Sequence, residues 1–388
     1  MTTWSLARTA RFLPFAVFVA TFDRAVIGPM LVTMGQDFDV DLQEITLSVS
    51  AYLLLYGLAQ PVWGLISDRL GRIATLRLAL VLAAVTDLLS IVPMALEPFI
   101  LVRALAGATM AGVFPTAVIF LGDTISDPRQ RQSSIASLQT GVALGLSLGT
   151  VLGGIGVVLI GWQAFFASTA VVCLVLAVVL RRAPNPKPGD ERLPIPVAFK
   201  EVGRNPWAWF LYAVVFLEAA SLLGGFNLVP AALEETGRSP AVAGLVTGTY
   251  GIFVLLTSQV VRRTTQRIRP ERFLLIGGVS ATTGFALLIW SVSPATVLIS
   301  CGLQGIAWVT MHTTLQTWAT TLSSTARATA VSLFAGFMFL GNGAGAFIAG
   351  TLLDFSGSIA LFTTVTVGTI SLTIVSVAGA RRYGNRLG

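Results

Sequence analysis

Gly64-Leu65-Ile66-Ser67-Asp68-Arg69-Leu70-Gly71-Arg72 closes one apolar run near 45–66 and opens another near 73–95. Each run is long enough to cross a hydrocarbon core of about 30 Å as a helix, which takes ~20 residues. Between two such helices the chain has little room to reverse, so glycine at 64 and 71 suits a place where backbones crowd. Asp68, Arg69 and Arg72 bring both signs of charge into the turn, where they can pair.

Working outward, further apolar runs lie near 12–34, 98–121, 133–159, 161–180, 207–231, 241–261, 273–292, 295–320, 328–352 and 358–380, which makes twelve spans. The longest polar stretch, 181–206, carries Pro184, Pro186, Pro188, Pro194 and Pro196 and falls between spans six and seven. The expected fold is an all-α membrane protein of twelve transmembrane helices in two pseudo-symmetric six-helix bundles. Residues 1–180 form the first bundle and 207–388 the second, with 181–206 as a cytosolic linker.

Composition agrees. The 388 residues are 54% hydrophobic and 11% charged, with a mean hydropathy of +0.81. A soluble domain carries about a quarter charged residues, so this surface must meet lipid. The net charge of +7 could suit nucleic acid, but the bases are scattered, with no basic helix. Cys173 and Cys301 each sit inside an apolar run and form neither a disulfide framework nor a metal pair. The single histidine, His312, excludes a multi-histidine metal centre. Arg8 and Arg11 precede a first apolar run with no small-residue cleavage site, so that run is expected to be a retained span.

With twelve spans, all but Arg24, Arg103 and Arg238 of the 25 Lys and Arg fall on the side that holds the N-terminus. Asp37, Asp39, Asp41, Glu44, Glu234 and Glu235 fall on the other. Basic residues stay in the cytosol, so both termini are expected there, in a multi-pass protein of the cell membrane. The halves also repeat: Arg131, Gly145, Gly149 and Gly154 recur 196 positions on as Arg327, Gly341, Gly345 and Gly350. Small residues so spaced let helices approach closely in lipid; close packing and a direct ligand role both fit. A matched stripe marks equivalent helices, as the parallel repeats of a transporter have.

The 64–72 loop resembles the signature loop of the major facilitator superfamily. Arg103 with Gly107 four residues on resembles that family's span-four arginine motif, and Gly161-Trp162 followed by Phe165 resembles its short outer turn between spans five and six. The resemblance covers the whole chain in span count, repeat and linker. It implies alternating access of two halves around a cavity lined by spans one, four, seven and ten. It also implies that Asp68 faces the N-terminal end of span eleven, near Arg327, when the inner side is shut; an acid is favoured at such an end by the helix dipole. Asp68, Arg72 and Asp123 would then form a breakable latch. The plainer reading of the loop is a topology signal alone. Span five reads Gly149-Thr150-Val151-Leu152-Gly153-Gly154. Drug exporters of the family place a glycine-proline pair ahead of two glycines here; the glycines match and the proline does not. The chain is most similar to the twelve-span drug/proton antiporter branch.

Five ionisable residues lie well inside spans: Asp23, Arg24, Asp87, Arg103 and Glu218. Each costs at least ~2.5–3.5 kcal/mol to insert, which makes it a functional candidate. Asp23 and Glu218 sit ~17 Å deep at 1.5 Å per residue, on corresponding helices. The resemblance places them across one pocket, where a desolvated carboxyl suits proton carriage. Asp87 and Arg103 form either a structural pair or the next coupling site. Arg24 is turned ~100° from Asp23 and cannot point the same way. Span ten holds Gln304, Trp308, His312 and Gln316 among threonines; with Phe226, Asn227 and Tyr250 these are expected to line a substrate cavity. His312 reads as a packing residue or a proton carrier. Aromatics beside amides suit an amphipathic organic solute.

The expected function is proton-coupled export of small amphipathic molecules, with a permease for one metabolite as the alternative. A membrane enzyme would need a nucleophile motif, a metal cluster or a phosphate loop, and none is present in the sequence. The expected partners are a small-molecule substrate, protons and the lipid bilayer, with no nucleic acid. The chain is expected to act as a monomer without a cofactor, driven by the proton gradient.

Overall fold

The computed structural model describes residues 6–125, 127–185, 195–264, 268–323 and 326–387, and the regular structure among them is helical throughout. Helices α1 (Arg8–Phe38), α2 (Leu42–Leu70), α3 (Arg72–Ser90), α4 (Leu96–Thr124), α5 (Ser137–Ile160) and α6 (Gln163–Arg182) build the first bundle. Helices α7 (Pro206–Glu234), α8 (Pro240–Val261), α9 (Pro270–Trp290) and α10 (Pro294–Thr321) begin the second. The last two spans run on as one helix, Arg327–Leu387, until Gly357 breaks it with φ 75° and ψ 176°. That break gives α11 (327–356) and α12 (358–387). A left-handed φ is open to glycine at little cost, so a single residue reverses the chain. Between the bundles lies a short helix, Ile195–Gly203; residues 186–194 of the linker are outside the described residues.

Several spans overrun their expected ends. α2, for instance, starts at a capping box in which the Asp41 backbone N–H donates to the Glu44 carboxylate at 3.3 Å. Four spans are interrupted rather than continuous. α1 tightens to a 3-10 turn at Gly28–Met30 and α4 is broken at 111–112. α7 and α10 widen into π-helical turns at Ala220–Gly224 and Trp308–His312. The interruptions fall on the spans expected to line the cavity, one pair in each bundle. Such turns concentrate at functional sites.

The repeated glycines are packing positions. A methyl on Gly145 would meet the Phe18 carbonyl at 2.7 Å, and one on Gly149 the Ala25 side chain at 2.9 Å, so α5 lies against α1. Gly153 continues that seam against Val26 and Pro29. In the second bundle, Gly341 lies under the Phe216 carbonyl and Gly345 under that of Ala220, so α11 lies against α7 in the same way. The last member of each stripe crosses between bundles: Gly154 against Pro240 and Gly244 of α8, and Gly350 against Thr46 of α2.

These crossings cluster at one end. Call the end with both termini the terminal end and the opposite one the far end. At the far end Gly28 of α1 lies beneath the Asn227 carbonyl of α7. The α2–α11 seam runs from Thr46 and Gly350 down to Gly57, which abuts the Gly336 carbonyl. Two turns further toward the terminal end, no atom of the described residues lies within 4 Å of where a Cβ on Gly64 would sit. Among the described residues, the close glycine contacts between the bundles lie at the far end and at mid-depth.

Candidate transport site

The charges inside the membrane sort into three groups. In the first bundle, Arg103 of α4 lies between two acids. Its Nη2 donates to Asp23 Oδ2 of α1 at 3.2 Å and its Nη1 to Asp87 Oδ1 of α3 at 3.1 Å. All three residues are fully buried. Rings cover the guanidinium, Phe166 at 4.2 Å and Tyr52 at 5.0 Å from its central carbon. Gly107, one turn along α4, makes this possible: a methyl there would strike the Tyr52 carbonyl, so only glycine lets α4 come this close to α2. Among the described residues, Arg103 Nε and Asp87 Oδ2 have no hydrogen-bond partner.

In the second bundle, His312 Nδ1 donates to Glu218 Oε2 at 3.0 Å, joining α10 to α7. Glu218 is fully buried, and its Oε1 has no hydrogen-bond partner among the described residues. Trp308 stacks on the imidazole with centroids 4.0 Å apart and an angle of 10°, and Phe334 packs against it at 5.4 Å. His312 closes the π-helical turn of α10, and Glu218 lies just before that of α7. Widening both helices at this level brings the pair together.

Asp23 and Glu218 therefore do not face each other across one pocket, contrary to expectation. A carboxylate in hydrocarbon finds the nearest cation, and each acid has turned into its own bundle to meet one. Asp87 and Arg103 do pair, and Asp23 joins them. Arg24 points away from Asp23, as its position on the helix requires. Half-buried, it reaches across to the second bundle, where its guanidinium lies 5.2 Å from the Phe339 ring of α11.

The other expected lining residues divide. Phe226 and Tyr250 meet with ring centroids 4.7 Å apart, and half-buried Asn227 donates to Asn342 Oδ1 at 3.0 Å. Gln316 is exposed and Trp308 half-buried. Gln304 is buried inside the second bundle instead, its amide donating to the Ala281 carbonyl of α9 at 3.2 Å. The threonines of α10 explain that difference: Thr310, Thr313, Thr314 and Thr317 all donate to carbonyls of their own helix. A polar-looking helix satisfied by itself can face protein as easily as water.

At the terminal end, Arg72 is buried and holds Asp68 Oδ1 at 2.8 Å and Asp123 Oδ2 at 2.9 Å, with Ser67 Oγ also at 2.8 Å. The three-residue latch thus exists within the first bundle, while Arg69 is exposed. The side chain of Arg327 lies outside the described residues. Asp68 sits in the last turn of α2, the end of a helix where the dipole disfavours an acid. Arg72 supplies a positive partner for it. Asn185 carries no signal in the sequence. Its side-chain oxygen accepts from the Ile73 and Ala74 N–H groups, and its amide donates to the Leu70 carbonyl, so the linker caps α3. Tyr52, Phe166, Phe339 and Asn342 were equally unmarked, because an apolar or amide side chain in a membrane helix carries no periodic signal of its own.

Comparison with known proteins gives one consistent result. The profile of the Major Facilitator Superfamily matches residues 13–233 and 215–383. The chain is 24% identical over 356 residues to a probable sugar efflux transporter of Pasteurella multocida, covering 90% of this chain and 86% of that one. It is 25% identical over 318 residues to the chloramphenicol resistance protein CraA of Acinetobacter baumannii, covering 79% and 76%. A crystal structure of a POT family transporter in complex with 5-aminolevulinic acid superposes with a TM-score of 0.80 at 15% identity, over 97% of this chain and 96% of that one. With these matches and this two-bundle fold, the chain belongs to the major facilitator superfamily and is a multi-pass membrane transporter.

Proposed function

We propose that this transporter exports small amphipathic organic molecules in exchange for protons, by alternating access of its two bundles. The observation that carries the reading is the buried Asp23–Arg103–Asp87 group. Two carboxylates around one guanidinium leave an excess negative charge in a site without water, and a bound proton removes it. When the bundles rock and water reaches the group, that proton can leave. The group spans α1, α3 and α4, so its protonation is tied to how those helices pack. The distribution of basic residues supports a cytosolic terminal end. The direction of transport is supported by likeness to a sugar efflux transporter and to a chloramphenicol resistance protein.

The test is flux in proteoliposomes, using a panel of radiolabelled amphipathic solutes with and without an imposed pH gradient. Wild-type protein accumulates a transported solute only while the gradient stands. Asp23→Asn and Asp87→Asn lose uphill movement yet keep solute exchange, because binding and rocking need no proton. Uphill flux that survives collapse of both the pH gradient and the membrane potential would overturn the reading.

A further inference from the structure

Of the five charges in the membrane interior, four are spoken for. Arg103 takes Asp23 and Asp87, and His312 takes Glu218. Arg24 is left: among the described residues no carboxylate lies within ion-pair distance of it, and its guanidinium lies over the Phe339 ring. It is half-buried, at mid-depth, on the face of α1 that points at the other bundle; Gly28, one turn on, lies beneath the Asn227 carbonyl of α7. Bare guanidinium in such a place lacks the anion that would balance it.

Its surroundings say what that anion would look like. Phe339, over the guanidinium, packs on Tyr56 with centroids 4.1 Å apart. The Phe226–Tyr250 ring pair comes from α7 and α8, beside Asn227, whose carbonyl lies over Gly28 one turn along α1 from Arg24. With one ring over its face, the guanidinium keeps its in-plane N–H groups for a planar two-oxygen acceptor, the geometry of a carboxylate. A single unbalanced cation matches one negative charge; a dianion would leave the excess unpaired in hydrocarbon.

We propose that Arg24 is the substrate's anion-binding residue, and that the substrate is an amphipathic monocarboxylate whose apolar body lies between the Tyr56–Phe339 and Phe226–Tyr250 ring pairs. This rests on reading the space between the bundles as the transport path, and not on proton coupling.

The experiment is binding without any gradient, on the full chain in lipid nanodiscs, with three probes of one shape: 2-naphthoate, 2-naphthalenemethanol and 2-naphthylmethylammonium. Equilibrium dialysis should find 2-naphthoate bound about tenfold or more tighter than either partner. Arg24→Gln should erase that advantage and leave the alcohol unchanged, while Arg24→Lys keeps part of it; an unshifted thermal midpoint confirms that the variants are folded. Competition with nitrate should fail, because a small anion leaves the ring pairs unfilled. Tighter binding of the ammonium, an affinity for 2-naphthoate unaltered by Arg24→Gln, effective nitrate competition, or no binding of 2-naphthoate to folded wild-type protein would each overturn it. Loss of proton coupling in the flux assay with this binding pattern intact would sink only the antiport reading.

Discussion

Arg103 is the residue on which most of the first bundle's interior depends. It pairs with both Asp23 and Asp87, stacks against two rings and is fully buried. Removing one partner of a buried ion pair costs about 3–5 kcal/mol because the other charge is left stranded. Arg103→Met should therefore lower the thermal midpoint sharply, and adding Asp23→Asn with Asp87→Asn should recover much of that loss. A midpoint that the single substitution leaves unchanged would mean that the two acids are already neutral without it. At this scale the sequence was legible only in part. The five intramembrane charges stood out because each is costly in hydrocarbon. Their partners did not, because partnership is set by which way a side chain turns around its helix. Arg24 was the exception, since its neighbour Asp23 fixed a rotation for it.

Between helices, glycine sets the distances. Gly107 lies directly on the Tyr52 backbone, so Gly107→Ala forces α4 away from α2 and strains the Arg103 contacts. Overpacking of this kind costs about 1–3 kcal/mol; the expected outcome is a less stable protein whose uphill transport falls more than its solute exchange. Gly64→Ala, at a position with open space around it, should leave stability unchanged in the same melting assay. The latch at the terminal end makes a different prediction. Arg72 binds Asp68 and Asp123 far from the ring pairs, so Arg72→Ala should slow transport and shift the balance of states while sparing solute affinity. Cysteine labelling at the terminal end would report the shift; unaltered labelling with wild-type flux would leave the loop a topology signal only. The helices themselves, their number and the matched stripes were readable, because run length and repeat are one-dimensional properties. The π-helical turns and the Asn185 cap were not, since nothing in residue order marks an extra residue in a turn or a linker amide that folds back on a helix N-terminus.

Across the whole molecule, the far end is where the bundles meet, and acids line it. A cavity of about 460 Å³ there is bordered by Asp39, Asp41, Glu44 and Glu235. Partial loss of water, and then the nearby charge of Asp354, push the Glu235 carboxyl above the usual carboxylate range. Its neutral form is thus favoured in the closed cleft: its support for closure is complete at low pH and fades as pH rises through that raised value. Glu235→Gln should make closure of the far end less sensitive to pH, read as a flatter response of labelling in the cleft.

Rocking of the two bundles about a central site requires the two ends to open in opposition. Spin labels at positions 39 and 238 would report the far end, and labels at 69 and 263 the terminal end, each pair spanning the two bundles at exposed residues. Measured by double electron–electron resonance in nanodiscs across a pH series, the far-end distance should shorten as the terminal-end distance lengthens. Asp23→Asn should hold one distribution at all pH values. Two distances that stay fixed, or that lengthen and shorten together, would contradict alternating access driven by a proton.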